Sequence, residues 1–541
     1  MIKMLVTMPH NLLIAAVKKS VSQRKDFSLL QRCRFSSDSS SKGKITRNSI
    51  VTPFPPLSEP IANLPKAVYS KSKEECQTTK VTVLPNGLKV ASETRFGQFC
   101  TVGVLVDSGS RYEVAYPSGI THFLEKLAFG ATKIYESKDD IMRTLEHHGG
   151  ICDCQASRET AIYAVSAERD GLDEVTKMLG DVVLRPKFTD DEVNSAKQAI
   201  AFELESLNTK PEQELILNDM IHAAAYRENT LGYPKICPEP NIEKIDRNIL
   251  LDYLQNHYTP SRMVVAAVGV EHDNLVKSVE KYFMKEQPIW EEQGLKSTRG
   301  VDKSIAQYTG GYVLEECNIP VYAGPSGLPE LSHLMIGLES CAFEDKDFVA
   351  LCVLNMIMGG GGSFSAGGPG KGMYSRLYTN VLSRYHWLYN ATAYNYTYAD
   401  TGLFCIHASC TPPHVKEMTE VIVNEMCAMA GSISGSELAR AKKQLQCMLL
   451  MNLEQRPVVF EDIGRQVLAS GARKQPDHYI KAIGAVTMDN IVSVAKRLLK
   501  SPVSVAARGE VRNIPSVADI QAGLSGQGRL RNSLGKLYLF R

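Results

Sequence analysis

Charge of either sign is in no excess here: 61 Lys and Arg stand against 59 Asp and Glu in 541 residues, a formal net charge of +2. That balance excludes the whole-chain electrostatic footprint of a protein built around nucleic acid or an anionic membrane. No apolar run approaches the ~20 residues that cross a bilayer. The 13 cysteines contain no C-x-x-C pair and no dense cluster. Cys152 and Cys154, two apart, would share one strand face, but no second pair stands near enough in sequence to complete a four-ligand zinc site. Unpatterned thiols in odd number fit a reducing compartment, where they act as small buried hydrophobes.

What is present begins with length. One core cannot serve 541 residues, so three or four packing units are expected. Residues 1–49 differ in composition from the rest. Lys3, Lys18, Lys19, Arg24, Lys25, Arg32 and Arg34 recur among serines, and the acidic residues are Asp26 and Asp38. Asn11 to Leu30 can be drawn as a basic amphipathic helix with Leu12, Leu13, Ala16 and Val17 on one side, which is how a mitochondrial transit peptide reads. Arg34-Phe35-Ser36 looks like a matrix cleavage site with arginine two residues before the cut, making 1–35 the transit peptide. Residues 36–75, Ser- and Pro-rich, read as a flexible tether.

Beyond the tether the sequence repeats its plan. Tyr258-Thr259-Pro260-Ser261 leads into Met263-Val264-Val265-Ala266-Ala267-Val268-Gly269. Lys500-Ser501-Pro502 leads into Val503-Ser504-Val505-Ala506-Ala507-Arg508-Gly509, and the two glycines lie 240 positions apart (509 − 269). Glu192 followed by Ala196-Lys197 is echoed by Glu437 followed by Ala441-Lys442, an offset of 245 (437 − 192). Strand-like runs Val102 to Val106 and Leu334 to Glu339, then Ile162 to Ala167 and Leu403 to Ala408, keep the same order. Offsets that agree within a few residues point to duplication. Two α+β domains are expected, 76–286 and 305–541, joined by a polar link at 287–304.

The segment Gly119-Ile120-Thr121-His122-Phe123-Leu124-Glu125-Lys126-Leu127 has helical apolar spacing. It resembles the inverted zinc peptidases of the pitrilysin-like family, whose H-x-x-E-H motif sets two metal-binding histidines four apart on one helix face. The glutamate between them is the general base on metal-bound water, and a further glutamate ligand follows about 75 residues later. On that pattern His122 matches the first ligand and Glu125 the base. Glu203, 77 positions past the motif (203 − 126), matches the distal ligand, and Lys126 stands where the second histidine belongs. An ammonium has no lone pair for a metal, and deprotonating an ordinary lysine at pH 7 costs roughly 4.6 kcal/mol. Two remaining ligands make a poor site. The expectation is a degenerate site at His122, Glu125, Lys126 and Glu203, without catalytic residues or metal, in which Lys126 pairs with Glu203 or Glu125. His147 and His148, just before Gly149-Gly150, read as the end of a helix rather than as substitute ligands.

A second segment is Gly359-Gly360-Gly361-Gly362-Ser363-Phe364-Ser365-Ala366-Gly367-Gly368-Pro369-Gly370-Lys371-Gly372-Met373. A phosphate loop would need glycine at Ser365 and Ser or Thr at Gly372, so it fails twice. Long loops within a compact domain are usually functional, and glycine lets backbone approach a ligand closely. With this loop the chain resembles a non-catalytic member of the family. The resemblance implies two homologous pitrilysin-like domains, each a mostly antiparallel sheet covered by helices. It further implies an inactive peptidase homologue without a cofactor of its own, paired in a heterodimer with a zinc-bearing β-subunit that cleaves mitochondrial presequences. The loop Gly359 to Met373 would bind the basic presequences and pass them to that partner. The implied place is the mitochondrial matrix, with association at the inner membrane left open. The alternative is a structural core subunit of the cytochrome bc1 complex, which shares the two-domain ancestry but should lack so elaborate a glycine loop.

Overall fold

The computed structural model describes residues 77–526 apart from 211–212, 228, 296, 298, 320–328 and 364–371. The expected transit peptide and tether, and residues 364–371 of the glycine-rich segment, lie outside the described residues.

Six strands form the first sheet: β1 (Lys80–Val83), β2 (Lys89–Glu93), β3 (Phe99–Val106), β4 (Ile151–Ala156), β5 (Ala161–Glu168) and β6 (Met263–Val268), in spatial order β1-β2-β6-β3-β5-β4. The second sheet holds β7 (Gly311–Glu316), β8 (Ser332–Ser340), β9 (Gly360–Gly362), β10 (Leu388–Thr397), β11 (Gly402–Cys410) and β12 (Ser504–Gly509), in order β7-β12-β8-β11-β10-β9. Every neighbouring pair is antiparallel except β2–β6 and β7–β12, which are parallel. The sheets superimpose in plan, with β2, β6, β3, β5 and β4 answering to β7, β12, β8, β11 and β10. This is the duplication written in the sequence. The paired Gly269 and Gly509 explain their own retention: each has positive φ, +88° and +110°, at the end of its strand. A Cβ there would approach backbone of the neighbouring strand, Phe99 O at 2.9 Å and Ser332 Cα at 3.1 Å.

The echoed Glu192 and Glu437 each sit at the third position of a helix, Asp190–Thr209 and Gly435–Asn452. Both close reciprocal caps with the preceding residue, Thr189 and Ser434, whose hydroxyls accept the glutamate N–H at 3.3 and 3.2 Å. The helix that follows in each half crosses over. Glu214–Tyr226 packs on the second sheet, and Arg456–Ser470 packs on the first. Small residues permit the approach: a Cβ on Gly103 would lie 2.5 Å from Phe460, and one on Gly464 would run into Leu105. Buried apolar side chains form three clusters, two of which mix residues of both halves.

Residues 287–304 are not a free linker. Gln255 donates to Leu295 O at 2.7 Å, Asn256 to Ser297 Oγ at 2.6 Å and Arg111 to Ser304 O at 3.1 Å, while Arg299 lies over the Tyr116 ring at 4.8 Å. Polar composition there reflects these partners as much as solvent.

Candidate functional site

The helix Ile120–Leu127 carries the motif, and its N-terminus is held by a residue that pattern reading missed. Glu113, fully buried, accepts the Gly119 N–H at 2.6 Å, the Thr121 N–H at 2.7 Å and the Thr121 hydroxyl at 2.7 Å. It thereby satisfies donors a helix start leaves open. Burial pushes its carboxyl up to about 7 against the pull of those donors. The signal available in the sequence was an acid seven positions ahead of a helix (120 − 113) with no capping side chain of its own.

His122 lies one helical turn before Lys126, and both reach Glu203 on the helix Asp190–Thr209. Lys126 Nζ is 2.6 Å from Glu203 Oε2, and His122 Nε2 is 3.4 Å from the same oxygen. His122 Nδ1 accepts the Cys237 N–H at 3.2 Å, which assigns the ring proton to Nε2 and directs it at Glu203. The His122 hydrogen bond and the Lys126 ammonium together hold the Glu203 carboxyl down to about 2, against partial burial. These donors do not fit a zinc ion. The nitrogen facing the site carries a proton, the distal carboxylate is engaged by an ammonium, and a third lone-pair donor is missing among the described residues.

Glu125 faces another way. It accepts the Ala156 N–H of β4 at 2.9 Å, and Lys235 Nζ approaches it at 3.7 Å. Lys235 belongs to a short strap whose successive N–H groups are all held. Those of Lys235 and Ile236 donate to Asp219 at 3.1 Å each, and that of Cys237 donates to His122. Two lysines and two glutamates balance the pocket. Of the sequence-derived site residues, His122, Lys126 and Glu203 come together, while Glu125 is held by Ala156 and Lys235. Asp219, which accepts backbone N–H groups, and Lys235, distant from Glu125 in sequence, were invisible to pattern reading. His147 and His148 end the helix Lys138–His147. Cys152 and Cys154 are free thiols on β4, and burial pushes the Cys154 thiol well up.

The glycine-rich segment divides. Gly359 ends the helix Phe348–Met358, donating to Asn355 O at 2.8 Å. Gly360–Gly362 then form β9, the outermost strand of the second sheet, paired with Asn390 to Thr392 of β10. Gly360 has φ +101°, and a Cβ there would collide with Ala391 O. Its N–H donates to Ser375 Oγ at 3.1 Å, and Tyr378 donates to Gly362 O at 3.2 Å. The first four glycines are thus built into the sheet edge, while Gly372 and the half-exposed Met373 resume the chain just before the exposed Tyr374.

Residues 89–239 match the family described as Insulinase (Peptidase family M16), and residues 244–445 match the Peptidase M16 inactive domain. The human protein named mitochondrial-processing peptidase subunit alpha is 54% identical over 478 residues, covering 88% of this chain and 90% of that protein. A Caenorhabditis elegans protein of the same name is 39% identical over 511 residues, 93% of this chain and 98% of that one. A protease from Helicobacter pylori superimposes with a TM-score of 0.68 at 18% identity, covering 80% of this chain and 99% of its own, a likeness of fold alone. Among the described residues no helix is long and apolar enough to cross a membrane. Matched along both halves by models of that family, and sharing more than half of its residues with a relative over most of both chains, the chain belongs to peptidase family M16.

Proposed function

We propose that this chain is a non-catalytic, substrate-recognising subunit of a mitochondrial processing peptidase. It works in the matrix beside a zinc-bearing β-type subunit, and its glycine-rich segment 359–373 engages basic presequences and presents them to that partner. The observation that carries the reading is the Lys126 ammonium 2.6 Å from Glu203, which leaves the motif without a metal-binding set. The names of the relatives supply the process, the organelle and the existence of other subunits. The glycine segment supports the recognition role because it starts at the outermost strand of the second sheet, where glycine lets backbone come close to a ligand. The test is a zinc and cleavage assay on the purified chain, alone and after mixing with a β-type subunit. The expected result is no stoichiometric zinc and no cleavage alone, with presequence cleavage on mixing. Zinc and cleavage by the chain alone would overturn the silent role. Co-purifying haem in place of a peptidase subunit would transfer the chain to the structural core of a respiratory complex.

A further inference from the structure

Duplication supplies an internal control for the two sheets. On the first, Phe99 pairs with Glu168, Thr101 and Ile151 both pair with Ser166, and Asp153 and Gly103 both pair with Ala164. Directly paired strand residues point to one side, so these side chains share one face. It is the face that Phe460 of the helix Arg456–Ser470 covers at Gly103. The helix lies on β2, β6 and β3. Ile162 of β5 is still buried beneath the cluster, but among the described residues the outer part of the β5–β4 side of the face, from Ala164 to Glu168 and Ile151 to Asp153, is half-buried to exposed. By the register that sets Thr101 beside Val268 and His333 beside Arg508, the positions on the second sheet that answer to Phe99 and Ile151 are Leu331 and Asn390. Leu331 is 5% exposed and Asn390 half-buried, whereas Phe99 is 52% exposed and Ile151 is 72% exposed. Phe96, three residues before Phe99, is 85% exposed. Asp153 and Glu168 are exposed on the same face. Asp153 accepts from Gln155 at 2.8 Å, and among the described residues neither carboxylate forms an ion pair. Arg169, next in sequence to Glu168, donates to Gly97 O at 3.3 Å, and Arg456 donates to Phe96 O at 2.6 Å.

Large apolar side chains gathered on an otherwise polar face mark a contact surface. Two unpaired carboxylates among them select the charge of what binds. We propose that the open β5–β4 face, with Phe99 and Ile151 between Asp153 and Glu168, is a second docking surface for the basic amphipathic part of a presequence. The apolar side of the segment lies on Phe99 and Ile151, and its Lys or Arg side chains meet the two carboxylates. The proposal rests on the presequence-binding role and adds to it a place distinct from the glycine segment.

The complex with a β-type subunit tests it, using a fluorescent basic amphipathic presequence peptide and a control peptide of the same composition with its apolar residues scattered. The Ile151→Ser, Asp153→Asn, Glu168→Gln triple variant should weaken binding of the amphipathic peptide by about tenfold or more. It should also flatten the dependence of binding on salt and leave the control peptide's binding unchanged. Asp153→Lys with Glu168→Lys provides a second variant that keeps the apolar residues, and it should weaken binding further. Unchanged affinity and salt slope in both variants, with wild type still binding, would overturn this surface and leave the recognition role standing. Loss of β-subunit association in place of peptide binding would make the patch a subunit interface and also overturn it. A wild-type complex that binds no presequence would bring down both readings.

Discussion

Lys126 does more at its position than remove a ligand. Its ammonium supplies the charge that the Glu203 carboxylate requires, while Lys235 stands beside Glu125. Both members of the pair are about one-third exposed, so solvent screens them and the pair contributes about 0–1 kcal/mol. The pH dependence has a definite sign. Glu203 titrates at about 2 in the folded chain against an ordinary 4.5, so its contribution is present above about pH 4.5 and is lost as pH falls toward 2. Glu113 runs the other way: raised to about 7, it contributes most below 4.5 and loses that contribution as pH rises through 7. Glu203→Gln should therefore lower Tm by about 1–2 °C at pH 7, and the gap from wild type should close as pH drops below 4.5. Thermal melts at stepped pH read this directly, and a gap that stays constant would assign Glu203 a packing role only.

Among the elements, the glycine-rich segment is where structure and sequence part company. As a sequence it is one loop, yet its first four glycines end a helix and make β9. Gly360→Val should cost about 2 kcal/mol or more, because a side chain at φ +101° would press on Ala391 O. Replacing 364–371 with a Gly-Ser linker of equal length should shift Tm by no more than about 2 °C and should sharply weaken presequence binding. Melting curves and peptide titration on the two variants separate the roles, and unchanged binding in the linker variant would remove the segment from recognition. The contrast indicates what a sequence can disclose. Strands β3, β5, β6 and their copies, and the helices opened by Glu192 and Glu437, were legible because local periodicity and capping chemistry determine them. So were His122, Lys126 and Glu203, whose residue types and spacing carry the chemistry. Glu113, Asp219 and Lys235 were not: the first two accept backbone N–H groups and the third nears Glu125 only because the fold brings them together. The hydrogen bonds of the polar link at 287–304 were not legible either, because composition does not record partners.

At the scale of the whole molecule the consequential feature is the exchange of helices. Phe460, Ile463 and Val467 of the second half pack with Leu105, Val264 and Ala266 of the first sheet. Leu217, Ile221 and Ala225 of the first half pack with Met335, Leu403 and Ala506 of the second. Charged contacts lock the same seam: Arg473 reaches across from Asp462, at 2.9 Å, to Glu93 of β2, and all three side chains are almost wholly buried. A buried ion cluster missing one member is costly, by about 3–5 kcal/mol. Separation would leave each sheet with one face bare of the helix that covers it, and would strand Arg473 with Asp462 in one fragment and Glu93 in the other. Fragments 77–286 and 305–526 expressed singly should therefore lack cooperative melting and bind hydrophobic dye. Mixed during refolding, they should regain a single transition. Scanning calorimetry with dye binding decides the matter: a fragment that melts cooperatively alone would mean that each half closes its own core and that the crossed helices are accessory. The expected dependence makes the two halves one folding unit, which holds the two sheets in a fixed relation.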